Sequence, residues 1–92
     1  MIDFERVYAL SQSSNYKDRF LAEYCQLKDR YNKLHRMLVR WEAKTLDFQP
    51  TCPFEVLEKQ AAIMGQYLKQ LEIRAEIDLT NLENAGTEVD RG

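Results

Sequence analysis

The 92-residue chain predicts an all-α fold: an antiparallel two-helix hairpin, coiled-coil-like, with a short N-terminal helical arm and a tendency to form oligomers. Three observations predict it. Phe20, Tyr24, Leu27, Tyr31, Leu34, Leu38 and Trp41 recur at alternating steps of four and three, and Leu57, Ala61, Met64, Leu68, Leu71 and Ala75 do the same; this is the period of a helix seam. Between the two runs lies Asp47-Phe-Gln-Pro-Thr-Cys-Pro53, whose two prolines stop a helix. The two seams also mirror each other about that breaker: Leu38 falls opposite Ala61, Leu34 opposite Met64, Leu27 opposite Leu71 and Phe20 opposite Leu79.

Taken in order, residues 1–12 form the arm. Phe4, Val7 and Tyr8 stand at i, i+3 and i+4, the spacing of one or two helical turns, and an arm with this much apolar surface is expected to dock. Ser11-Gln-Ser-Ser-Asn15 is a polar break in which Asn15 can cap the first long helix and Asp18 sits against its dipole. That helix is expected over about 15–46, closing with Arg36, Arg40 and Lys44, the favourable charge for a C-terminal end. The turn covers 47–53. The second helix starts near Pro53, with Thr51 or Cys52 as its cap, and runs to about 84. Residues 85–92 are polar and expected to fray. The whole reads as one hairpin domain.

Composition excludes several functions. No run of about 20 apolar residues is present, so no membrane span is expected. Met1-Ile-Asp-Phe-Glu5 lacks the basic and apolar regions of a signal peptide, which predicts a cytosolic address. A net charge of −2 gives no basic signature for direct DNA binding. Cys25 and Cys52 would lie about 40 Å apart along the first helix, too far for a disulfide. With His35 the one histidine and no Cys-x-x-Cys, no metal site or cofactor is expected. No Gly-rich phosphate loop and no nucleophile paired with a base can be assembled, and the reading is of a non-enzyme.

Charge is unevenly placed. Arg30, Lys33, Arg36, Arg40 and Lys44 crowd the second half of the first helix, and the last four step by three, four and four along one face. Such a stripe suits an anion, a phosphate or an acidic protein, with Tyr31 offering a stacking face and His35 a switchable charge. The competing reading pairs Arg40 and Lys44 with Glu55 and Glu58 across the turn, as cross-helix ion pairs that orient the hairpin. The second helix carries apolar residues beside its seam: Val56, Ile63, Tyr67 and Ile77 make a stripe wider than one partner helix can cover, and are candidates for an oligomer interface.

The run Arg19-Phe-Leu-Ala-Glu-Tyr-Cys-Gln-Leu-Lys-Asp-Arg-Tyr-Asn-Lys-Leu34 resembles the first helix of small helical-hairpin accessory proteins of tailed phages and prophages, at Glu23, Tyr24, Leu27, Arg30 and Leu34. The second helix is similar to theirs at Leu57-Glu-Lys-Gln60, Met64-Gly-Gln-Tyr67 and Leu71-Glu-Ile-Arg74, so the likeness covers residues 18–78. The resemblance implies action in the host cytoplasm against bacterial immunity. One expectation is an oligomeric sponge that sequesters a nucleotide-derived immune signal. The alternatives are an anti-CRISPR-type protein that blocks a host defence protein by direct contact, and a small structural or assembly protein of the virion.

Overall fold

Side-chain capping starts both of the first two helices. In the computed structural model, which describes residues 3–82, α1 (Phe4–Ser11) opens on Asp3, whose carboxylate accepts the backbone N–H groups of Glu5 and Arg6 at 3.1 and 3.2 Å. α2 (Tyr16–Glu42) opens on Asn15, which accepts from the Lys17 N–H at 2.8 Å. The break between them is a built turn. The Ser13 hydroxyl donates to Asp18 at 2.8 Å and accepts from the Asn15 N–H at 3.0 Å, while the Arg19 guanidinium donates to the Ser13 carbonyl at 2.9 Å. α3 (Phe54–Ile77) starts differently from expectation: Pro53 itself takes the cap position, with no side-chain cap, and its carbonyl accepts from Val56 and Leu57. The described residues are all-helical, without strands, and no described helix is long and apolar enough to cross a membrane.

α1 docks on the chain's own α2. Val7 is buried with Ala22 and Cys25, and Leu10 and Tyr24 pack on that cluster. Phe4 lies by Lys33 while Ser11 lies by Arg19 and Ala22, so α1 runs antiparallel to α2. Cys25 is a packing residue beneath α1. Burial pushes its thiol pKa above the usual value, with the Arg6 charge pulling more weakly the other way. Its role as a small hydrophobe is the ordinary one for a free cysteine.

α2 and α3 form the predicted hairpin. Phe20, Leu71 and Ala75 are its central cluster, with Tyr24, Leu27 and Leu82 against it. Leu38, Ala61 and Leu68 are buried further toward the turn, where Trp41 meets Phe54 edge-on at 5.1 Å. Gly65 faces the Tyr31 ring, and a Cβ there would stand 3.5 Å from it, in ordinary van der Waals contact. At the open end the Arg74 guanidinium lies 4.7 Å from the Phe20 ring centre, faces the Tyr16 ring and donates to the Tyr16 hydroxyl.

Two helix ends differ from the sequence reading, for one shared reason. α2 stops at Glu42 rather than about 46, and α3 at Ile77 rather than about 84. Each closes in a Schellman motif. Thr45 N–H bonds the Arg40 carbonyl and Lys44 N–H that of Trp41; Thr80 N–H bonds the Ala75 carbonyl and Leu79 N–H that of Glu76. The left-handed residue in each is not glycine but Lys44, at φ 63°, and Leu79, at φ 56°. The reversal at Leu79 corrects the pairing of Phe20 with Leu79: Leu79 is 90% exposed, and Phe20 packs on Leu71 and Ala75 instead. Residues 83 and 84 of the expected helix, and the expected frayed tail 85–92, lie outside the described residues.

A left-handed non-glycine residue costs roughly 1–2 kcal/mol; glycine relieves that strain, and the greater entropy it gives the unfolded chain offsets about 0.5–1 kcal/mol of the gain. Leu79 loses no packing when truncated. Leu79→Gly is therefore expected to raise stability by about 0.5–1 kcal/mol, read as a higher urea midpoint at unchanged m-value. A lower midpoint would show that the turn at Leu79 is not the end of α3.

Candidate functional site

The Schellman turn at Lys44 does more than end α2. It sends the chain back so that Leu46, Asp47 and Phe48 come alongside Lys33, Arg36 and Arg40, and these six residues, with Met37, line an open groove of about 260 Å³. One wall is cationic, since Arg36 and Arg40 stand one turn apart on α2 with Lys33 a turn earlier. The other is mixed: Phe48, 56% exposed, offers an aromatic face, and Asp47 a carboxylate.

Among the described residues the one ion pair is Lys33 with Asp29, at 3.0 Å within α2. Arg36 and Arg40 have no carboxylate within ion-pair distance among the described residues, and the expected cross-helix pairs of Arg40 and Lys44 with Glu55 and Glu58 do not form. The stripe and the acids of α3 do not meet because α1 and the groove occupy the side of α2 that the stripe follows, away from the α2–α3 seam. Two like charges at i and i+4 repel by a few tenths of a kcal/mol. An anion between them relieves that repulsion and adds charge-assisted hydrogen bonds, for which the guanidinium fork is suited.

Lys33 has three neighbours at once. It pairs with Asp29, places its ammonium 5.6 Å from the Phe4 ring centre of α1, and lines the groove. The groove thus abuts the start of α1.

Of the six candidate anion-binding residues, the fold brings Lys33, Arg36 and Arg40 together. Arg30 lines a separate shallow groove of about 390 Å³ with Ser11, Arg19 and Glu23. Lys44 is exposed at the left-handed turn position and does not line the groove. Tyr31 is on the seam side, against Gly65 and stacked on His35 at 5.9 Å, and does not share the groove with the cations. Leu46, Asp47 and Phe48 were not among the sequence candidates. The one signal for them was an aromatic residue stranded in a polar connection. Val56, Ile63, Tyr67 and Ile77 are all exposed on α3. Among the described residues no three His, Cys, Asp or Glu side chains are grouped to hold a metal ion.

A helical hairpin whose distinguishing surface is a cationic, aromatic-edged groove is, in class, a small binding protein. A protein-family model described as Sequestin matches residues 14–77, which takes in α2, the connection with its groove-lining residues, and α3, and leaves α1 outside. The chain belongs to the Sequestin family. No curated protein and no solved structure matches the chain.

Proposed function

We propose that this protein is a phage-encoded sequestering protein that inhibits bacterial immunity by holding a nucleotide-derived immune signal, as an oligomeric sponge acting in the host cytoplasm. The family name, which denotes sequestration, supports capture over catalysis. The observation that carries the chemistry is the groove, in which Arg36 and Arg40 stand beside Phe48 with no carboxylate within ion-pair distance among the described residues. Phosphate oxygens take the guanidinium forks, a base or sugar face takes Phe48, and Asp47 accepts from an amino or hydroxyl donor.

Isothermal titration calorimetry against cyclic oligonucleotides and ADP-ribose derivatives tests the reading. At least one is expected to bind with measurable heat, more weakly as salt is raised. Arg36→Glu or Arg40→Glu, each turning an attraction into a repulsion on an exposed helix face, is expected to weaken it at least 100-fold while leaving the circular dichroism unchanged. No heat with any of the panel, or tight binding that survives both reversals, would refute it. A host defence protein retained by the chain in place of a small molecule would favour the direct-blocking alternative.

A further inference from the structure

We infer that α3 carries a twofold interface, on which a second copy of this chain packs its own α3 antiparallel, through Val56, Ile63 and Tyr67. This goes beyond the capture reading, because it stands whatever the groove holds. Val56, Ile63 and Tyr67 follow at steps of seven and four along one side of α3, each about half exposed. The acids of α3 are segregated from that side, and Arg74, five turns on from Val56 and in line with it, reaches toward α2 to the Tyr16 hydroxyl and the Phe20 ring. At 3.6 residues per turn, Glu55, Glu58, Glu72 and Glu76 are turned about 100° or more away from Val56. Between Val56 and Tyr67 the stripe is flanked by Gln60 and Gln66, then by Gln70, with Lys59 as the charge at its edge. No acid lies on this side, and apolar and aromatic residues with amides and few charges are the composition of an interface centre.

The stripe is also complementary to itself. An antiparallel pairing whose axis passes between Ile63 and Tyr67 sets Ile63 on Tyr67 of the second copy, Gln60 opposite Gln70, Lys59 level with Leu71 and Val56 level with Arg74, so no like charges meet on this side. A parallel pairing would set Lys59 beside Lys59 and Arg74 beside Arg74. The chain has reason to use the surface. Leu71 and Val7 are the largest side chains it buries completely, a slender core for a helical hairpin. Pairing α3 with α3 converts two hairpins into a four-helix arrangement, the usual way such seams are covered.

Native mass spectrometry and sedimentation of the full chain at tens of micromolar are expected to give about 21.8 kDa, twice the 10.9 kDa of one chain. Ile63→Glu and Tyr67→Glu are expected to give monomers of unchanged helicity. Ile73→Glu, on another side of the helix, is expected to remain dimeric. Direction is read with Gln60→Lys/Gln70→Glu, expected to tighten the dimer several-fold, against Gln60→Lys/Gln70→Lys, expected to weaken it. A monomeric native chain, an assembly of three or more copies, a dimer that survives Ile63→Glu or is lost with Ile73→Glu, or weakening by the Lys/Glu pair would each overturn the proposal. Calorimetry on the monomeric variants separates this outcome from the groove's: nucleotide binding with no dimer in the native chain sinks the interface and the oligomeric form of the sponge, and leaves capture by the groove standing.

Discussion

Leu71→Ala is expected to cost about 3–5 kcal/mol, the upper range for truncating a buried leucine. Leu71 is 1% exposed and lies at the centre of the cluster that joins α2 to α3, between Phe20 and Ala75 with Leu27 alongside. Its loss leaves a cavity in a core with few neighbours to collapse into it. A single small helical core supplies only about 3–5 kcal/mol in all, so the variant is expected to be largely unfolded at 37 °C. Urea unfolding followed by circular dichroism, at one fixed protein concentration because association would add stability by mass action, reads the effect. Leu79→Ala is the internal control. Eight residues further along the same chain, it is 90% exposed and is expected to change stability by less than about 0.5 kcal/mol. A small effect at Leu71, or similar effects at the two leucines, would mean that α3 does not pack as described.

The contrast between those two leucines marks how far the sequence could be read. The 4-3 spacing identified both long helices and the faces they bury, because burial on one side of a helix leaves a periodic trace. Leu27 and Leu71 do meet in one cluster, and Leu38 and Ala61 are both buried. Extrapolating the same period to Leu79 failed because a Schellman end needs a left-handed residue, and the usual signal for one is glycine. Lys44 and Leu79 adopt that conformation with full side chains, so the sequence carried no stop sign at either place. The groove was half legible for the same reason. Its cationic wall follows helical spacing on α2 and could be counted off. Its other wall, at Leu46, Asp47 and Phe48, depends on where the chain turns after Lys44, and Tyr31 was misplaced because an aromatic residue near a basic stripe in sequence can still face the opposite side of the helix.

Val7→Asp is expected to release α1 while leaving the hairpin folded. Val7 is 2% exposed, and it is the one buried side chain that α1 contributes. A carboxylate in its place would be buried without a partner at a cost of several kcal/mol. Undocking eight residues of which one side chain is buried costs less, so the arm leaves and α2 and α3 stay. That the family match begins at residue 14, after α1, fits a hairpin that stands as its own unit. Cys25 reports the event, since Val7 and Leu10 of α1 cover it. Its modification by a thiol reagent at pH 8 is expected to accelerate about 100-fold, both from access and because the thiol, raised by burial, relaxes toward its ordinary value of 9.0. The sign of that shift gives a second reading in the native chain. The folded thiol holds its proton to higher pH than the unfolded one, so this contribution to stability is full below pH 9 and is lost as pH rises through 9 toward the folded value. The native chain should therefore lose stability more steeply above pH 9 than Cys25→Ala does. If Val7→Asp left Cys25 protected, α1 would not be what covers it; if it unfolded the entire chain, α1 would be part of the hairpin's core rather than a strap laid across α2.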